Sequence, residues 1–185
     1  MASSTSSRAR SSRARVLIDP SLRVSLVHLP TSLCSTLLAR DIVAQTVVVE
    51  LGTDMESYYC GWTGLAPSAS VLSDPHAGEC IVMSPSLADM FAPALSNGQE
   101  VSLRLFRSPP IPVARKVFVT PRSADDWEIL SVHADEVESS MLSQVRAAKQ
   151  GQVLGVSVGR SSATVIKFLV DRTVPPTRCL LYTSP

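Results

Sequence analysis

Apolar and polar positions alternate through much of the first half of this chain. Leu22-Arg-Val-Ser-Leu-Val-His-Leu29 nearly keeps the period of two expected of a strand with one buried face, and Pro30 closes it. Ser32 to Ala39 places apolar residues at 33, 37 and 38, which predicts a short helix after a Thr/Ser cap. Gln45 to Leu51, with Val47-Val-Val49, is a β-branched strand ended by Gly52, and Tyr58 to Thr63 is another ended by Gly64. A polar loop, Ala66 to Gly78, leads to a short strand at Cys80-Ile-Val-Met83. Ser84-Pro85 opens a helical turn, Leu95-Ser-Asn-Gly-Gln-Glu is a turn, and Val101 to Phe106 alternates as a strand.

Ser108-Pro-Pro-Ile-Pro112 interrupts this pattern, because prolines so close together fit neither a central strand nor a helix interior. It marks a linker over 108–115 between a lobe at 16–107 and a second at 116–178. The second lobe reads as a strand at 116–120, helices at about 124–131 and 135–148, and strands at Gln152 to Val158 and Ala163 to Val170. Gly159-Arg-Ser-Ser162 is the hairpin turn between those strands. The fold class predicted is α+β and β-rich.

Composition sharpens the ends. Residues 1–15 are rich in Arg and Ser and lack large apolar side chains until Val16, so they are expected to be disordered. A transit peptide or a weak tether to anionic membrane are the other readings of this stretch. Its arginines precede the first acid, Asp19, and with a net charge of +1 they leave the rest of the chain net negative. That balance gives no case for nucleic acid as a partner. Hydrophobic residues make up 45% of the 185, enough for a core. No apolar run approaches the ~20 residues that cross a bilayer. The four cysteines, Cys34, Cys60, Cys80 and Cys179, form no C-x-x-C pair and read as reduced thiols of a cytosolic-type compartment. The last seven residues, 179–185, are similar to the translated end of a transposase sequencing adapter and are set aside as a foreign tail.

Candidate chemistry is sparse. The sequence has no Gly-Lys pair, hence no phosphate-cradling P-loop, and no G-x-G-x-x-G, H-E-x-x-H or G-x-S-x-G. No catalytic, cofactor-binding or metal-binding residue is assigned. His28 and His133 are read as structural, Trp62 and Trp127 as core, and Glu136 and Glu138 as a solvated helix face. Arg104 and Arg107 before the linker, with Arg115 and Lys116 after it, have two readings: ordinary solvated surface, or contacts to an acidic partner or an anionic headgroup.

The most informative stretch is Ser123-Ala-Asp-Asp-Trp-Glu-Ile-Leu130. Ser123 is a helix N-cap with Asp126 as the acidic half of a capping-box-like pattern, and Asp125, Asp126 and Glu128 lie at the positive end of the helix dipole. Extended to Arg122 through Ala134, this segment resembles the N-terminal domain of the peroxisome biogenesis AAA ATPase, the type-1 peroxin. Ser123, Asp125, Asp126, Trp127 and Glu128 carry the signature. Val27-His-Leu-Pro30, Leu95 to Arg104 and Met141-Leu-Ser-Gln-Val-Arg146 resemble further parts of the same family, over about residues 16 to 178.

That resemblance implies two lobes, a double-psi β-barrel and a smaller β-rich lobe carrying helices. It implies a recognition domain for an adaptor, a ubiquitinated import receptor or a phospholipid headgroup, bound in the groove between the lobes. ATP and Mg would belong to ATPase modules elsewhere in the full-length protein. Those modules would form a hetero-hexamer with the sister type-6 peroxin, in the cytosol and at the cytosolic face of the peroxisomal membrane. Two other readings stand beside it: an N-domain of a related AAA machine for membrane fusion or ubiquitin-dependent segregation, and a small double-psi barrel enzyme.

Overall fold

The computed structural model describes residues 12–22, 25–68, 79–107, 111–159 and 164–181. The first lobe is built from β1 (Ser12–Ile18), β2 (Leu26–Val27), β3 (Val47–Gly52), β4 (Ser57–Trp62), β5 (Cys80–Met83) and β6 (Glu100–Arg107). These strands run β2-β4-β3-β6-β1-β5 across one sheet. β1/β5 and β2/β4 pair in parallel and the remaining pairs are antiparallel. A bridge between His28 and Val82, with bonds of 2.9 and 3.1 Å, joins the two outer strands and closes the sheet into a barrel. This near closure shortens the free edges that a six-stranded sheet would otherwise expose, and leaves the flank of β4 before Gly61 unpaired by β2.

The alternation that predicted these strands also fills the barrel. Val47, Val49 and Leu51 of β3 point inward beside Val16, Ile81, Leu103 and Trp62. Two short helices add to this core: α1 (Thr31–Leu38), burying Cys34 and Leu37, and α2 (Pro85–Ala88), burying Leu87. In α2 the Ser84 hydroxyl accepts from Leu87 N at 3.2 Å. The residue at the N-cap of α1 is Pro30, with no side-chain cap, so the expected Thr/Ser cap is not used there.

The second lobe contains β7 (Lys116–Pro121), α3 (Ala124–Gln144), β8 (Ala147–Ala148), β9 (Val153–Val158), β10 (Thr164–Val174) and β11 (Cys179–Leu180). β7, β10 and β9 form an antiparallel sheet, and α3 packs on one of its faces through Val137, Ile129, Leu130 and Met141. No helix among the described residues is long and apolar enough to cross a membrane.

Several expectations need correction. β1 begins at Ser12, inside the stretch expected to be disordered. Its side chains alternate, with Ala14 and Val16 buried while Arg13 and Arg15 face outward, and β6 supplies the backbone partners. Residues 1–11 lie outside the described set. The two helices expected in the second lobe are present within α3, separated where expected by the non-helical His133 (φ −114°, ψ 20°). One turn before the break the Ser131 hydroxyl takes the Glu128 carbonyl at 2.7 Å, a side-chain bond that competes with the helical ladder. The helix ends at Gln144 rather than 148, because Ala147–Ala148 pairs with Cys179–Leu180. Cys179, Leu180 and Leu181 are buried, so the first residues of the stretch set aside as a tail are part of the packed structure. Of the expected linker, Ile111 is buried and Val113 bridges Leu180. The hairpin turn after Gly159 and most of the polar loop at 66–78 fall outside the described residues.

Candidate recognition groove between the lobes

The two lobes are fastened before any ligand site is formed. Gln152, 6% exposed, stands just ahead of β9. Its side-chain oxygen accepts from Tyr59 N at 3.0 Å and its amide nitrogen donates to Tyr59 O at 2.7 Å. β2 is only two residues long and pairs with Gly61 and Trp62, so β4 needs another partner at Tyr59. Nearby, the Tyr58 hydroxyl donates to Val153 O at 2.7 Å and the Ser25 hydroxyl to Gly155 O at 2.7 Å. A small apolar cluster of Val48, Tyr59, Ile111, Ala147 and Leu180 completes the seam.

Two glycines let the lobes approach. A Cβ on Gly61 would lie 2.4 Å from both Cβ and Cγ of Arg146, and one on Gly155 would lie 1.9 Å from Met90 Cε. Neither position tolerates a side chain without movement across the seam.

Beside the seam is an open groove of about 660 Å³. Met55, Glu56 and Met90 line it from the barrel, and Arg122, Lys149, Leu169 and Asp171 line it from the second lobe. Met55 stands 81% exposed on the turn between β3 and β4. The two acids are already engaged: Glu56 accepts from Ala92 N at 2.7 Å and Asp171 from the Thr120 hydroxyl at 2.5 Å. Among the described residues Arg122 and Lys149 make no ion pair, although Lys149 Nζ lies 5.6 Å from the centre of the Tyr59 ring. The groove therefore offers thioether and aliphatic surface with two cations and two carboxylates, so its formal charges balance. That chemistry suits a ligand that joins apolar side chains to charged or polar groups.

The cations singled out in the sequence do not form one cluster here. Arg104 lies on β6, 3.9 Å from the Glu50 carboxylate. Glu50 is buried and also accepts from the Tyr59 hydroxyl at 3.0 Å. Burial and this carboxylate both raise the Tyr59 pKa. Arg178 completes the arrangement, 4.4 Å from the centre of the Phe106 ring and 5.9 Å from that of Tyr59. Arg107 pairs with Val47 through its backbone, and its side chain lies outside the described residues. Arg115 and Lys116 are exposed at the start of β7.

The signature segment is arranged differently from the simple dipole reading. Ser123 caps α3, accepting from Asp126 N at 3.1 Å, and its hydroxyl donates to Asp126 Oδ2 at 2.6 Å. Asp126 is buried, and its other oxygen accepts from Lys167 N on β10 at 2.8 Å. It thus fastens the helix start to the sheet, while Asp125 and Glu128 are exposed. Trp127 is 63% exposed, which corrects its expected place in the core; Trp62 is buried.

His28 Nδ1 lies 2.6 Å from the Thr63 hydroxyl oxygen. Burial lowers its pKa, partly opposed by Asp19. His133 Nδ1 pairs with Glu136 at 3.1 Å on a partly exposed face. Among the described residues no cluster of three or more His, Cys, Asp or Glu could hold a metal ion.

Met55, Arg122, Lys149 and Gln152 escaped the sequence reading. An exposed Met in a polar turn carries no period, and Gln152 looks like any polar residue at a strand start. Arg122 alone had a signal, its place next to the Ser123 motif.

Residues 115–183 match the family described as peroxisome biogenesis factor 1, N-terminal. The chain is also similar to proteins named Peroxisomal ATPase PEX1. The one from Arthrobotrys oligospora is 29% identical, over 79% of this chain and 14% of the relative. That of Dictyostelium discoideum is 32% identical over 63% and 9%, and that of Saccharomyces cerevisiae 24% identical over 92% and 16%. The chain thus spans about a sixth of the length of these relatives or less.

Proposed function

Because this chain belongs to the peroxisome biogenesis factor 1 family, by its N-terminal domain, we propose that it is the substrate- and adaptor-recognition domain of a peroxisomal AAA ATPase. The observation that carries this reading is a preformed groove, lined by thioether and aliphatic side chains and charged groups of both signs, beside a seam that fixes the lobes. A fixed groove loses little conformational freedom on binding. The groove would receive an adaptor or the ubiquitinated import receptor, delivered for extraction so that matrix protein import can continue.

ATP and Mg would be bound and used by ATPase modules of the full-length protein. Those modules would assemble with the sister type-6 peroxin at the cytosolic face of the peroxisomal membrane. The peroxisomal name of the relatives favours this over a fusion or segregation machine. A second reading, headgroup binding, is favoured by the unpaired charges of Arg122 and Lys149.

The test is capture of purified ubiquitinated import receptor by the 185-residue chain and by its Met55→Glu and Lys149→Glu variants. We expect capture by the parent and at least about a tenfold loss in each variant. Equal capture by all three would overturn the groove assignment. Binding to vesicles containing anionic phospholipid, without receptor capture, would favour the headgroup reading.

A further inference from the structure

The three-stranded sheet of the second lobe treats its two outer strands differently. On β9 the free edge is occupied by a side chain. Gln144 of α3 accepts from Ser157 N at 2.8 Å and donates to Ser157 O at 2.9 Å. Gly159 N, just past the strand, donates to Glu136 at 2.8 Å. β7 lies at the other side and, among the described residues, has only β10 as a partner.

The ladder fixes which backbone groups of β7 face away from β10. Val170 donates to Gln152 O at 2.9 Å and accepts from Gly151 N at 2.8 Å, so both its groups point toward the β9 side. Val119 is opposite Val170, and facing residues of an antiparallel pair turn together. The N–H and C=O of Val119 therefore point outward, and alternation along the strand gives Val117 the same direction. Among the described residues no hydrogen bond to these outward groups is present.

The surroundings of this edge are basic. Arg115 and Lys116 are exposed at its start and Arg122 follows its end. Arg172 lies 4.2 Å from the centre of the Phe118 ring, which is itself 41% exposed. The acid on this side of the sheet, Asp171, is held by the Thr120 hydroxyl. Asp125 and Glu128 stand on the helix beyond Arg122, so the positive end of the strip is the Arg115–Lys116 end.

We propose that β7 is a docking strand, which takes up an extended acidic segment of a protein partner as a fourth strand of this sheet. The backbone of Val117 and Val119 would supply affinity, and the flanking cations would select negative charge and set direction. This rests on the recognition reading above but names a second point of attachment, at Val117 and Val119, which do not line the groove.

The experiment uses the isotope-labelled 185-residue chain and a short acetylated peptide of alternating Glu and Val, with a Lys/Val peptide as control. The Glu/Val peptide should slow amide exchange at Val117 and Val119 by about tenfold or more, and Arg115→Glu with Lys116→Glu should weaken its binding about tenfold. Val119→Pro removes an N–H that faces away from β10 and should abolish binding. If that variant fails to fold, amide exchange and the charge variants decide the matter alone. Equal protection by the Lys/Val peptide, unaltered β7 amides, or binding only to phosphatidylserine vesicles would overturn the inference. Loss of receptor capture in Met55→Glu with β7 protection intact would separate the groove from the edge.

Discussion

The side-chain amide of Gln152 pairs with both backbone groups of Tyr59, 93 residues away, and so stands in for a strand on the open flank of β4. Gln144 does the same for Ser157 on β9. Two glutamines thus complete two sheets that short strands leave unfinished.

Gln152→Ala should lower stability by about 2–4 kcal/mol, since two buried bonds are lost and both Tyr59 groups stay desolvated. Gln152→Glu should also destabilise at neutral pH, because a carboxylate cannot donate to Tyr59 O. Chemical denaturation of the three proteins measures the difference, and equal midpoints would contradict it.

Gly61→Ala should cost roughly 1–3 kcal/mol through its clash with Arg146. Arg146→Ala should not rescue it, since the offending Cβ remains. Arg146→Gly should recover part of the loss. Thermal unfolding of the double variants would show whether the contact across the seam is the cause.

The signature segment should split by burial. Ser123→Ala should cost about 1 kcal/mol as a lost cap. Asp126→Ala should cost about 2–3 kcal/mol, because Lys167 N is left without its acceptor. Trp127→Ala should change stability by no more than about 0.5 kcal/mol, given its exposure. A large loss with Trp127→Ala would mean that the side chain packs after all.

His28 supplies a pH dependence. Burial lowers its pKa below the ordinary 6.5, so the unfolded chain binds the extra proton more readily. The contribution from neutral His28 is fully present above pH 6.5 and is lost as pH falls through that value toward the folded-state pKa. Melting temperatures from pH 8 to pH 5 should fall more steeply for the parent than for His28→Gln. Parallel curves would show that the histidine is not responsible.

The barrel was legible because its strands either carry a β-branched run, as in Val47-Val-Val49, or alternate, as in Val101-Ser-Leu-Arg-Leu-Phe106. The start of β1 was not, because Arg13 and Arg15 hide an alternation whose inward members are only Ala14 and Val16. The helix pattern weakens at Ser131 to Ala134, and the break it predicts between two helices falls at His133. Trp127 misled because aromatic residues are usually core, and nothing local reports what covers a helix face. Cys179 to Leu181 show the same limit, since their burial depends on Ala147–Ala148 far upstream. The groove was hardest to foresee, since its walls come from separate turns that only tertiary packing assembles.

The Gln152 staple also bears on how the chain is made. A ribosome releases the barrel strands first, and β4 then waits for a residue 93 positions later. At about 5–20 residues per second, that interval is roughly 5–20 s. Throughout it, Tyr59 has an unpaired backbone and the apolar patch around Val48 has no cover. A nascent chain in that state is a natural client for chaperones. Slowing translation between residues 62 and 152 would lengthen its exposure, and the yield of folded protein would be set during synthesis rather than by final stability.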